Sequence, residues 1–285
     1  MIDLLYYEFM QRALIVGAVT GALCAVIGVY VVLRGMAFIG AGISHAAFGG
    51  VAVGLLLGVD PFLSALIFCT AVAVGIGYVS EKGQIREDTA VGIFFASTMA
   101  FGVLLVGLIK SYTIDLFGYI FGNILAITDF DFWASLVTAV LVIGFILYFY
   151  KEFLFITFDQ EAAQVSGLPV RTLNYLMLTL IAITIVQSIK ATGIVLVSAL
   201  LVAPAAAAHQ LVDDFKRMMT LAVIFGVSSA WIGLLISSQI NTASGATIVM
   251  TATIIFFISA IFSPRRRSLR KSLRSLKADA QKQEE

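Results

Sequence analysis

Apolar residues in this chain do not alternate with polar ones; they come in long runs, at about 10–33, 36–58, 61–79, 90–109, 132–150, 172–190, 193–212, 218–238 and 245–263. A run of about 20 apolar residues, rising about 1.5 Å per residue as a helix, crosses a hydrocarbon core of about 30 Å. The pattern predicts an all-α, polytopic transmembrane helical bundle of about nine spans, or eight if one run is re-entrant. The sixth and seventh runs are separated only by Lys190-Ala191-Thr192-Gly193. The stretch 111–131 is apolar but broken by Asp115, Gly118, Gly122, Asn123, Asp129 and Asp131. It reads as a partly helical external connection or a re-entrant segment.

Composition removes the water-soluble alternatives. Hydrophobic residues make up 60% of the 285 positions and charged residues only 12%, about half the share of an ordinary soluble domain. Cys24 and Cys69 each sit inside an apolar run, which argues against a disulfide framework and for two small packing residues. Met1 to Gln11 carries Asp3 and Glu8, not the basic start of a secretion signal.

The basic residues orient the bundle. With nine spans and the C-terminus inside, fifteen of the 18 Lys and Arg fall on the cytoplasmic side, and only Arg12, Lys110 and Lys190 fall outside. Cytoplasmic loops carry such an excess, so the N-terminus is expected outside and the C-terminus inside. Asp3, Glu8, Asp60, Asp115, Asp129 and Asp131 then lie outside. They form either a negative rim that concentrates cations or ordinary solvated loop carboxylates. Residues 1–263 read as one transmembrane domain. Residues 264–285 read as a basic amphipathic tail suited to an anionic inner leaflet, with nucleic acid a poor alternative partner.

Between the fifth and sixth spans lies the cytoplasmic segment 158–170. Asp159 and Glu161 favour the N-terminal dipole of a short helix, and Gly167 followed by Pro169 ends it. Ala162 and Ala163 leave one face nearly bare, a shape that seats in a groove of another protein. The chain has no Gly-x-x-x-x-Gly-Lys-[Ser/Thr] loop to cradle a nucleotide and no His-Glu-x-x-His for an intramembrane metalloenzyme. It reads as a non-catalytic subunit.

His45 lies about ten residues into the second run, about 15 Å deep and near the midplane. Its helix-face neighbours Ala41, Gly42, Phe48, Gly49 and Ala52 are mostly small. An ionisable residue at that depth is either a ligand on a cation path or a helix-to-helix hydrogen bond. Were the chain to carry a metal ion, imidazole would put zinc first and manganese or iron next. His209 with Asp213 and Asp214 forms a second, more ordinary cluster. Gly50, Gly54 and Gly58 read as a helix-packing stripe, and Lys190 as a side chain snorkelling to the outer interface.

Several stretches in order carry a resemblance. They are Arg34-Gly-Met-Ala-Phe-Ile-Gly40 running into Ser44-His45-Ala46, Asp115-Leu-Phe-Gly-Tyr-Ile-Phe-Gly122, Glu161-Ala162-Ala163-x-x-x-Gly167-Leu-Pro-x-Arg171, and Leu200-Leu-Val-Ala-Pro204. Over residues 10–262 the chain resembles the zinc/manganese/iron-type permeases of bacterial ATP-binding-cassette importers. The resemblance implies a homodimer in the cytoplasmic membrane of a prokaryote, with cassette ATPase subunits inside and a metal-binding protein outside. ATP would be used by the partner, and no cofactor would be held by this chain. By resemblance, Asp159, Glu161, Ala162, Ala163 and Gly167 couple to the ATPase, and His45 and Asp115 meet the metal ion. Two positions depart from the family pattern: Ala41 stands where an aspartate is common, one turn before His45, and Asn123 where a second carboxylate is frequent. The competing reading is a self-sufficient secondary transporter or channel for a cation or small solute. That reading would favour inverted repeats or paired intramembrane carboxylates, and neither stands out.

Overall fold

A computed structural model describes residues 7–108, 122, 124 and 127–263. The order is α1 (Glu8–Leu33), α2 (Ile39–Leu57), α3 (Pro61–Gly83), α4 (Glu87–Leu108), α5 (Asp129–Tyr148), α6 (Tyr150–Phe158), α7 (Gln160–Val165), α8 (Val170–Thr192), α9 (Val197–Leu211), α10 (Phe215–Ile240) and α11 (Ser244–Phe262). Every described element is a helix. Asp115, Asn123 and the tail 264–285 lie outside the described residues.

Polar residues between the runs start the helices. Asp60 accepts from the Leu63 backbone N–H at 2.9 Å ahead of Pro61, and Asp214 does the same for Arg217 at 2.9 Å. Thr128 and Asp131 form a reciprocal capping box on α5. Each cap satisfies backbone donors that have no partner inside the helix.

Eight of these helices are long and apolar enough to span a bilayer; α9, with 15 residues, is the shorter apolar one. The seventh run is therefore not one continuous span. Gly193, with φ of 86°, caps α8, and the chain turns through Gly193–Leu196 before helix resumes at Val197. The break adjoins the Lys190–Gly193 boundary read between the sixth and seventh runs, but hydropathy does not show that the helix after it starts only at Val197, because Ile194–Leu196 are as apolar as the helix itself.

Close helix approach rests on glycine. A Cβ on Gly21 of α1 would stand 2.5 Å from the Gly226 carbonyl oxygen of α10, and one on Gly226 would stand 2.3 Å from that of Gly21. Within the bilayer such contact replaces the hydrophobic drive that water supplies elsewhere. Of the Gly50-Gly54-Gly58 stripe, the first two pack on α3, their added Cβ atoms falling 2.7 Å from Ala65 Cα and 2.9 Å from Pro61 Cα. Gly58 instead ends α2 at φ 68° with open space around it.

The two ends of the bundle differ. At one end Arg12 pairs with Glu8 and Asp129, and Lys190 pairs with Asp131. Lys190 is therefore not a snorkelling cation: its ammonium joins α8 to α5 and lies 5.3 Å from the Phe62 ring centroid. Gly122 and Ile124 of the connection before α5 are buried there, Gly122 at φ 72° against Thr192 and Gly193. At the other end Arg34 donates to Thr157 and Asn174, Arg171 pairs with Glu81, and the Ser263 hydroxyl donates to the Gln210 carbonyl. The chain enters α1 at the Arg12 end and leaves α11 at the Arg34 end.

Candidate functional site

His45 sits on α2, half-buried, with its ring tilted against Phe95 of α4 at 4.7 Å between centroids. Its Nδ1 lies 2.9 Å from the Ala41 carbonyl oxygen. A carbonyl only accepts, so Nδ1 carries the proton and Nε2 of the neutral ring keeps its lone pair. That arrangement orients a ligating histidine. Ala41 thus supplies an orienting backbone oxygen where its side chain supplies no carboxylate. Among the described residues no three His, Cys, Asp or Glu come close enough together to hold a metal ion.

One turn from His45 a shallow cavity of about 440 Å³ opens, lined by Ala41 of α2 and Phe38 just before it, Asp88 of α4 and Ser198 of α9. Asp88 is exposed there. Sequence reasoning missed it because it is one of several charges just before the fourth run. His209 ends α9, distant in sequence from His45, while Asp214 of its neighbouring pair caps α10.

The segment 158–170 forms the short helix α7, held as its residues dictate. The Asp159 carboxylate accepts from the Ala162 N–H at 2.9 Å. Gly167 closes the other end at φ 83°, its N–H donating to the Gln164 carbonyl and the Leu168 N–H to that of Ala163. Ala163 is fully buried against the chain's own bundle, whereas Val165 is 89% exposed, with Glu161, Gln164 and Gly167 also exposed. The two alanines therefore do not form one bare outer face; the outward surface is Glu161, Gln164 and Val165.

Behind α7 lies a polar cavity of about 550 Å³, bounded by Gln160 and Gln164, by Glu81 and Glu87, and by Arg171 and Asn174 of α8. Arg34 stands beside it, Nη1 donating to Asn174 Oδ1 at 3.1 Å and Nε to Thr157 Oγ1 at 3.3 Å. Burial lowers the Arg34 pKa from its ordinary value, and the Glu87 carboxylate opposes that shift. Arg34 thus ties the end of α1 to the two helices that flank α7, at Thr157 of α6 and Asn174 of α8, and Glu81 of α3 joins α8 through Arg171 and Tyr175. These braces join residues 94 to 140 positions apart, beyond the reach of any local motif.

The ABC 3 transport family model matches residues 6–263. The manganese transport system membrane protein MntC of Listeria innocua is 43% identical over 263 residues, covering 92% of this chain and 94% of that protein. The chelated iron transport system membrane protein YfeD of Yersinia pestis is 36% identical over 257 residues, covering 90% and 86%. Among solved structures, PsaBC from Streptococcus pneumoniae in complex with Fab contains a chain with a TM-score of 0.85 and 37% identity, with 95% of this chain and 98% of that one covered. With its helices, its family match and its relatives in agreement, this chain is a multi-span membrane protein of the ABC 3 transport family.

Proposed function

We propose that this chain is the membrane permease of an importer of divalent manganese, driven by a separate cassette ATPase. The observation that carries this reading is α7, a capped, outward-facing helix whose flanking helices α6 and α8 are tied to α1 and α3, in a chain 43% identical to a manganese transport membrane protein. Manganese stands ahead of zinc, and iron second, because the named relatives carry manganese or iron. Two copies form the path, the cassette ATPases seat on Glu161, Gln164 and Val165 of each, and an external metal-binding protein delivers the ion. The excess of basic residues at the Arg34 end supports a cytoplasmic position for that end. Asp115 meets the ion on entry, His45 offers Nε2 near the midplane, and Asp88 draws it toward the inner side. Closure of the ATPases pushes α7, and its flanking helices pass that push through Arg34 to α1 and through α8 to α3, shifting the population from outward- to inward-open.

Proteoliposomes containing the chain with its copurified cassette ATPase test this reading against a self-sufficient transporter. Manganese uptake should require ATP and the ATPase. Equal uptake by the chain alone would establish the self-sufficient alternative.

A further inference from the structure

Away from His45 and α7, the facing sides of α3 and α8 leave a groove of about 970 Å³, open laterally. Its walls are apolar, including Leu66, Ile67, Val74 and Ile183, and one end is polar, formed by Tyr78, Tyr175 and Arg171. From Arg171 to Ile183 the wall rises about 18 Å at helical pitch. One leaflet of a hydrocarbon core of about 30 Å is nearly that deep. The polar end lies at the Arg34 end of the bundle, where interfacial Tyr and Arg meet head groups.

Arg171 at that mouth stands beside an opposite charge, Glu81, which lines the adjoining cavity behind α7. Arg171 Nε is 2.9 Å from Glu81 Oε2, and the Tyr175 hydroxyl donates to the same carboxylate oxygen at 3.0 Å. Both charged side chains are about half exposed, at 56% and 44%, and both keep groups free to face a ligand. An anionic head group would meet repulsion from Glu81. A choline head group has no N–H to offer that carboxylate. A phosphate joined to a primary ammonium matches both groups at once.

We propose that the α3–α8 groove is a binding site for an ethanolamine phospholipid, with an acyl chain along the apolar walls, the phosphate on Arg171 and the ammonium on Glu81. Arg171 also bounds the cavity behind α7, so an occupied groove braces the helix that the proposed ATPase would push. The lipid assignment itself needs only the membrane placement of the chain, not its transport role.

Native mass spectrometry of the full chain, released from nanodiscs of equal phosphatidylethanolamine, phosphatidylglycerol and phosphatidylcholine, tests it. The wild-type chain should retain the ethanolamine lipid preferentially. Arg171→Ala should lower retention about fivefold, the scale of one basic group at a membrane surface. Glu81→Gln should erase the preference over choline lipid, and Ala71→Trp, which fills the groove, should abolish retention. Equal retention of all three lipids by the wild type would overturn the proposal regardless of how the variants fold. So would disulfide cross-linking of Ile67→Cys between copies, which would place a second copy in the groove.

Discussion

Arg34, at the C-cap of α1, donates to Asn174 Oδ1 of α8 at 3.1 Å and to Thr157 Oγ1 at 3.3 Å. One fork therefore ties the C-terminal end of the first span to both flanks of the α7 loop. Hydrogen bonds from a charged donor contribute more than neutral ones when partly buried, so Arg34→Ala should cost about 2 kcal/mol. Arg34→Lys should recover only part of that, because an ammonium lacks the planar fork. Thermal unfolding in detergent reads both effects, and an unchanged midpoint for Arg34→Ala would show that the fork carries no load.

Gly21 and Gly226 allow the backbones of α1 and α10 to touch. Gly21→Ala puts a methyl 2.5 Å from a backbone oxygen that no rotamer change can move. Overpacking of this kind costs about 1–3 kcal/mol. The variant should melt earlier than Gly92→Ala, where the new methyl meets nothing within 4 Å. Equal melting of the two would contradict the close crossing.

Lys190 and Asp131 form a cross-helix pair with side chains 30% and 11% exposed. Removing one partner strands the other charge in a poorly solvated place. Lys190→Met and Asp131→Asn should each destabilise, and the double variant should cost less than their sum, with a coupling of about 1–2 kcal/mol. A double-mutant cycle by thermal unfolding checks this, and additive effects would show an idle pair.

His45 makes its one tight hydrogen bond within its own helix. His45→Ala should therefore cost less than about 1 kcal/mol of stability. It should nevertheless lower manganese uptake about tenfold or more, the scale on which losing a metal-site group acts. Uptake at the wild-type rate would remove His45 from the path.

Much of this fold is written in local pattern. Eight of the nine apolar runs coincide with full-length spanning helices, because about 20 apolar residues leave few alternatives in a 285-residue chain. The α7 helix was legible because Asp159 and Gly167 each act on their own neighbours, through a cap and a positive φ. The boundary between the sixth and seventh runs was legible at Lys190–Gly193, but the extent of the turn to Leu196, which leaves α9 too short to span, was hidden among apolar residues. The Lys190–Asp131 pair, 59 positions apart, and the Arg34–Asn174 bond, 140 apart, depend on how helices are arranged. Burial of Ala163 was invisible for the same reason: a six-residue helix has an inward side only once the bundle beneath it is known.

The central claim is that α7 receives the force of a partner's nucleotide cycle. The most direct measurement is ATP-driven manganese uptake in proteoliposomes, alongside copurification of the ATPase, for the wild type and for a Glu161→Ala, Gly167→Val double variant. Gly167→Val is strained by its φ of 83° and not by crowding, so the bundle itself should stay intact. The account predicts a variant that keeps its melting point while losing both the ATPase and uptake. A variant that copurifies the ATPase at full yield and transports at the wild-type rate would contradict it.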